Sequence, residues 1–215
     1  MNSNMFFDPV YRKENLRIIK LLGKGKSARS YLTEIGGHFV VLKEMHNEKI
    51  SYYHFSRPKT ELECEAYRTL QSLPIAIPKL LYLDHHQQYL VKEYIDGPTV
   101  AEAMLHGPLQ NELFRSIFQW SKVLKSHNLN IDYFPTNFVI RDKQPVYIDY
   151  ECNGYEEQWD FESWGIYYWL NHEGFSEFLK TGDANFINQP GTPYPIRNKT
   201  IGNRKKQIMK ILQGA

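Results

Sequence analysis

An aspartate followed five positions later by an asparagine, and then by a second aspartate closing a short apolar run, constrains this chain more than any other feature. Asp132 and Asn137 stand in Asn130-Ile131-Asp132-Tyr133-Phe134-Pro135-Thr136-Asn137. Asp149 stands in Val146-Tyr147-Ile148-Asp149-Tyr150-Glu151. Amide and carboxylate oxygens suit a hard cation such as magnesium. A carboxylate ahead of them suits a group that orients an attacking hydroxyl. Phosphoryl transfer from a nucleotide asks for this kind of positioning and charge cancellation more than for covalent chemistry. Such a triple also arises by chance, so its weight depends on what precedes it in the chain.

What precedes it falls in a consistent order. Leu16–Leu22 reads as a strand that Gly23 and Gly25 interrupt, within Leu21-Leu22-Gly23-Lys24-Gly25-Lys26-Ser27. Strand character resumes over Ser30–Ile35. Gly36-Gly37 marks a two-residue hairpin turn, because both positions tolerate positive φ. The returning strand, His38–Lys43, ends on a lysine. Residues 45–59 form a polar and aromatic connector. Thr60-Glu61-Leu62-Glu63 fits a capping box with Thr60 at the cap and Glu63 at its third position. The helix it opens places Leu62, Ala66, Leu70 and Leu73 on one side, and Glu65 borders that stripe. Leu80–Leu83 and Tyr89–Tyr94 make a second hairpin, and Asp96-Gly97-Pro98 is a turn that ends the first part of the chain. Leu109, Leu113, Ile117, Trp120 and Leu124 recur at helical spacing. Phe138–Ile140 and Val146–Ile148 are short strands joined by the charged stretch Arg141–Pro145. Asp160–Leu170 is an aromatic helix, and Arg204–Leu212 a short basic one.

The glycine-rich turn, the strand-borne lysine, the acid in the following helix, Val91-Lys92-Glu93-Tyr94-Ile95-Asp96-Gly97 and the Asp/Asn/Asp set together resemble the protein-kinase-like superfamily over about residues 16–170. The resemblance implies an α+β fold of two lobes, a small antiparallel sheet lobe and a mainly helical one. It divides the chain into residues 1–96, 97–175 and a loop-and-tail segment, 176–215. It implies ATP and Mg2+ as cofactors. Lys43 would serve the α- and β-phosphates, with Glu65 as its carboxylate partner in preference to Glu61 and to Glu63, which the cap occupies. Gly23 and Gly25 would let backbone amides approach phosphate. The Glu93 carbonyl and the Ile95 amide would face the adenine edge, and Leu22, Val41 and Val139 its faces. Asp132 would be the catalytic base, and Asn137 and Asp149 the metal ligands. Asp160 would either brace the catalytic loop or simply cap its own helix.

Several positions depart from the family's pattern. Ala28 stands where a third glycine is usual, Asn130-Ile131 replaces His-Arg, and Phe134 replaces a lysine. Asp149-Tyr150-Glu151 replaces Asp-Phe-Gly, and ten residues separate Asp149 from Asp160, too few for an activation segment. The short connection resembles the aminoglycoside and choline phosphotransferases. The small size resembles minimal atypical serine/threonine kinases such as the Bud32-like and lipopolysaccharide-kinase-like groups. The expectation is therefore a kinase acting on a protein hydroxyl, since little chain follows Leu170 to build a closed acceptor pocket. A small-molecule kinase and a pseudokinase are the alternatives.

Composition adds boundaries. With 42% hydrophobic residues in 215, the chain can bury a core without disulfides, and Cys64 and Cys152 read as two separate thiols of a reduced compartment. No signal-like or membrane-spanning run is present, so a cytoplasmic protein with no membrane partner is expected. From Ile196 to Ala215 the chain carries Arg197, Lys199, Arg204, Lys205, Lys206 and Lys210 and no acid. That tail is a candidate contact for an acidic partner or nucleic acid, or else a helix docked through Ile208, Ile211 and Leu212.

Overall fold

The computed structural model describes residues 8–46, 48 and 57–214. It is a mixed α+β chain that divides into two compact units, Met1–Thr69 with Ile77–Ile95, and Leu70–Ala76 with Asp96–Ala215. Most of the connector expected over residues 45–59 lies outside the described residues.

In the first unit five strands pair antiparallel in the order β1-β2-β3-β5-β4. They are β1 (Arg17–Lys24), β2 (Ala28–Ile35), β3 (His38–Met45), β4 (Leu80–Asp84) and β5 (Tyr89–Glu93). Gly36 and Gly37 turn the β2–β3 hairpin with φ of 55° and 80°, the left-handed pair that such a turn requires, and Ile35 faces His38 across it. At the β4–β5 turn the Asp84 carboxylate accepts from the N–H groups of His86 (2.9 Å) and Gln87 (2.8 Å). One sheet face buries Val40, Leu42, Tyr82, Tyr89 and Val91, with Tyr11 and Leu16 packed against them. The N–H of Lys13 donates to the Tyr89 hydroxyl at 3.1 Å, which fastens the N-terminal segment there.

Helix α1 (Lys59–Gln71) starts at Lys59, and Thr60 lies inside it rather than at its cap. The Thr60 hydroxyl instead meets His85 Nδ1 at 3.0 Å and accepts from Gln88 at 2.8 Å. Thr60, Glu63, Cys64 and Tyr67 are buried, at the i, i+3, i+4, i+7 spacing of one helix face, while Leu62 is only half-buried. Ala66 and Leu70 of the expected stripe are buried too, so the buried side is wider than the aliphatic stripe and extends round to Glu63.

The second unit holds α2 (Val100–Ala103), α3 (Asn111–Ser126), the short strand pairs β6 (Leu129–Ile131) with β9 (Cys152–Gly154) and β7 (Phe138–Arg141) with β8 (Gln144–Tyr147), then α4 (Ile166–Trp169), α5 (His172–Thr181) and α6 (Lys199–Gln213). The buried side of α3 runs through Leu113, Phe114, Ile117, Phe118 and Leu124, and Trp120 stays half-exposed. Burying a phenylalanine contributes about 1.5–3 kcal/mol, so Phe114 and Phe118 set the rotation of that helix. Trp169 is the centre of the aromatic core, with Phe138, Phe161 and Phe114 rings at 5.1, 5.8 and 6.1 Å. Cys64 and Cys152 are free thiols. Among the described residues no helix is long and apolar enough to cross a membrane.

The basic tail is seated rather than loose. Asn198 caps α6, and Ile201 is buried. Arg197 donates to the Ser163 carbonyl (2.7 Å), and Lys205 to the Glu162 carbonyl (2.7 Å). Arg204 grips both oxygens of Glu173 at 2.5 and 2.6 Å and reaches the Leu170 carbonyl at 3.1 Å. Three of the six cations are therefore spent on the fold, and Lys199, Lys206 and Lys210 lie on the exposed side. The Arg204 hydrogen bond, which outweighs the cost of burial, holds the Glu173 carboxyl down at about 2. A depressed carboxyl stabilises the folded state above its ordinary value of 4.5 and loses that contribution as pH falls through about 2. Arg204→Gln should therefore melt below the parent above pH 4.5, and the two should converge as pH falls toward 2. Melting temperature against pH for both proteins checks this, and curves that stay parallel to pH 2 would contradict it.

Candidate functional site

Two groups of residues carry the chemistry expected above, one in each unit. In the first unit β3 presents Val41 and Lys43 on the same sheet face, two positions apart. Lys43 and Glu63 are 7% and 8% exposed, and the ammonium forms an ion pair with the Glu63 carboxylate. Glu65, the expected partner, lies on the exposed side of α1, where Arg57 holds both its oxygens at 2.6 Å. The correction follows from the phase of α1: with Cys64 and Tyr67 turned inward, Glu63 faces the sheet and Glu65 faces solvent. The local capping pattern that seemed to occupy Glu63 does not form, because Thr60 is drawn inward to His85 and Gln88.

Gly23 and Gly25 lie on the rim of the first unit. Neither has positive φ. A Cβ at Gly23 would meet nothing within 4 Å, and one at Gly25 only the Ala28 carbonyl at 3.9 Å. The fold therefore does not itself require glycine at either position. Ala28, at the third-glycine position, is buried at the start of β2, and its carbonyl accepts from the Gly25 N–H at 2.9 Å. Leu22 is exposed, Val41 and Ile95 are buried. The Glu93 carboxylate accepts from the Lys79 N–H at 3.1 Å, and the Glu93 N–H donates to the Lys79 carbonyl at 2.9 Å, so this residue ties β5 to the start of β4. Lys92, which sequence reasoning passed over, is a second buried lysine, directly across from Val41.

In the second unit Asp132, Asn137 and Asp149 are drawn to one end of the two short strand pairs. Ile131 pairs with Cys152, so Asp132 leaves β6 where Glu151 enters β9. The chain then turns through Pro135–Asn137 into β7, reverses at Asp142 and Lys143 with φ of 52° and 62°, and returns along β8. The Ile148 N–H donates to the Asn137 carbonyl at 2.9 Å and closes the two loops on each other. Asp132 Oδ1 accepts from the Phe134 N–H at 3.0 Å, which fixes the carboxylate by a local turn. Asn137 Nδ2 points at the Asp132 carbonyl, 3.4 Å away, which leaves Oδ1 as the amide's acceptor end. The Tyr147 hydroxyl lies between the loops, donating to the Glu151 carbonyl at 3.0 Å. Burial, then the charges of Asp149, Asp132 and Glu151, hold its ionisation far above the ordinary phenol range.

The loop is braced from behind. Trp169 Nε1 donates to the Tyr133 carbonyl at 2.8 Å. The Tyr133 ring packs on Phe161 at 5.6 Å, and a Cβ on Gly165 would come within 2.5 Å of the Tyr133 Cβ, so glycine is needed there. Asp160 takes the capping role: its carboxylate accepts from the Ser163 N–H at 2.6 Å and from the Tyr155 hydroxyl at 2.9 Å. Val139 is buried in β7, next to Gly97 and bridged to Thr99.

Among the described residues no group of three or more His, Cys, Asp and Glu is placed to hold a metal ion. The donor set that is present, one amide oxygen and one carboxylate, suits magnesium, which commonly takes one or two protein oxygens and completes its shell with phosphate and water. Asn137 and Asp149 would hold it, and its charge would offset that of phosphate.

The position of Glu63 generates a direct test. Glu63→Gln removes a carboxylate from a buried ammonium and should cost up to about 3–5 kcal/mol of unfolding free energy, whereas Glu65→Gln on the surface should have little effect. Urea unfolding of both variants checks it, and a Glu65→Gln loss as large as that of Glu63→Gln would contradict the assignment. No protein-family model and no curated protein sequence matches the chain.

Proposed function

We propose that this chain is an ATP-dependent phosphotransferase of protein-kinase-like build, transferring the γ-phosphate to a serine or threonine hydroxyl of a protein. The observation that carries the reading is the closure of the Asp132–Asn137 loop on the Ile148–Glu151 loop, which brings the segments that bear Asp132, Asn137 and Asp149 to one end of the second unit. Two features of the first unit support it. Lys43 is a buried cation held by a carboxylate, and Gly23 and Gly25 are glycines that the fold does not demand.

In this reading Lys43 compensates charge on the α- and β-phosphates, and Glu63 keeps its ammonium in place. Backbone N–H groups near Gly23 and Gly25 approach phosphate oxygens without side chains in the way. Asn137 and Asp149 hold magnesium, which when bound neutralises charge developing on the transferred group. Asp132 accepts a hydrogen bond from the acceptor hydroxyl and takes its proton as the phosphoryl group is transferred. The carboxylate is already oriented by the Phe134 N–H. A protein acceptor is the reading favoured here because part of the chain after Leu170 is held to the same unit: the Tyr168 hydroxyl donates to Asn188 at 2.6 Å, and Arg204 and Lys205 donate to backbone carbonyls.

Mg-ATP should raise the melting temperature, with about 2.7 kcal/mol of stabilisation at a hundredfold excess over its dissociation constant. Asp132→Asn should keep that shift and lose transfer by about 10²–10⁴-fold. Asp149→Asn should instead lose the magnesium-dependent part of the shift. Labelled ATP with casein or a cell extract, followed by separation of protein and small-molecule products, identifies the acceptor. A melting curve unmoved by millimolar Mg-ATP would overturn the reading, and label found only in small molecules would overturn the choice of acceptor.

A further inference from the structure

The loop joining β1 to β2 is held by groups far away in sequence. Within the loop, the Gly25 N–H donates to the Ala28 carbonyl at 2.9 Å. From the end of β3, the His46 N–H donates to the Ser27 carbonyl at 3.0 Å, and the His46 ring places Nε2 3.1 Å from the Gly25 carbonyl. From the first turn of α1, the Lys59 ammonium donates to the His46 carbonyl and stands 3.5 Å from the Ser27 carbonyl. Lys59 is only 9% exposed. Lysine is rarely buried unless its charge is met by partners, and here main-chain carbonyls around the loop meet it.

The two elements that hold the loop are also those that carry the ion pair. β3 bears Lys43 and α1 bears Glu63. Lys59 thus links three parts: the glycine-rich turn, the strand with the buried ammonium, and the helix with its carboxylate. A loop whose conformation is set during folding does not have to be ordered when a ligand binds. Glycine at 23 and 25 would otherwise make this turn the most conformationally free segment of the sheet.

We propose that Lys59 and His46 are positioning residues of the nucleotide site. They form a two-residue latch that fixes the carbonyls of Gly25 and Ser27, and so aims the neighbouring backbone N–H groups at phosphate, without touching the ligand. This rests on the phosphotransferase reading. The ordinary alternative is that both side chains only stabilise the sheet.

Lys59→Met keeps the aliphatic stem and removes the ammonium, Lys59→Arg restores a cation, and His46→Ala removes the ring. Amide hydrogen exchange of residues 23–28 in the ligand-free protein reads the latch directly. Lys59→Met and His46→Ala should each speed it about tenfold, the effect of losing one charge-assisted or neutral hydrogen bond, with Lys59→Arg near the parent. Lys59→Met should also raise KM for Mg-ATP about tenfold with a smaller effect on kcat, which general destabilisation would not do. If Lys59→Met does not fold, His46→Ala carries the same two measurements. Unchanged exchange in residues 23–28 would overturn the latch. Faster exchange with unchanged nucleotide affinity would overturn the positioning role. Faster exchange in a protein whose parent form does not bind Mg-ATP would sink the nucleotide reading while leaving the latch as a structural device, so the two failures are distinguishable.

Discussion

A lysine and a glutamate, each less than a tenth exposed, face each other between β3 and α1. Removing two charges from water is costly, and their attraction inside a protein often only offsets that cost. The pair therefore adds little net stability compared with an apolar contact of the same size. What it does add is orientation. Once Lys43 points to the α1 side of the sheet, α1 can adopt only the phase that brings Glu63 to it. Cys64 and Tyr67 then turn inward, and Glu65 turns out to Arg57. The phase of the helix also sets where Lys59 lies, and Lys59 in turn meets the carbonyls at the end of β3 and in the glycine-rich turn.

The second unit solves a different problem with neutral groups. Asp132 and Asp149 are seventeen residues apart in sequence and carry like charges. Backbone bonds from β6 to β9, and from Ile148 to Asn137, bring their loops together regardless of that repulsion. Tyr147 fills the space between the loops and stays protonated because burial and three nearby carboxylates all disfavour its phenolate. Trp169 fixes the loop backbone from the core side.

Features encoded by local chemistry were legible in the sequence. Gly36-Gly37 marked a hairpin because only residues tolerant of positive φ make that turn, and Asp84 marked another because its carboxylate binds the next two free N–H groups. The short apolar runs around Asn137 and Asp149 were readable as strands. The face of α1 was legible only in part: Ala66 and Leu70 are buried as the stripe implies, but Thr60, Glu63, Cys64 and Tyr67, which no aliphatic pattern marks, share the buried side. The capping pattern at Thr60 misled for a related reason: a hydroxyl that satisfies a cap locally was claimed by His85 and Gln88 from another part of the sheet. Trp169 reaches Tyr133 across 36 positions, and no periodicity encodes such a contact. The tail was half legible. Its charge and helical character stood in the sequence, but the division of its cations between the fold and the surface depended on where the carbonyls of Glu162, Ser163 and Leu170 lie.

In the proposed phosphotransferase reading the buried ammonium of Lys43 serves nucleotide phosphate and Glu63 acts through it. A double-mutant cycle of Lys43→Met and Glu63→Gln, read as the dissociation constant for Mg-ATP, addresses that claim most directly. If Glu63 works only by holding Lys43, the double variant should bind no more weakly than Lys43→Met alone. Fully additive losses, or a Lys43→Met protein that binds Mg-ATP as tightly as the parent, would contradict it.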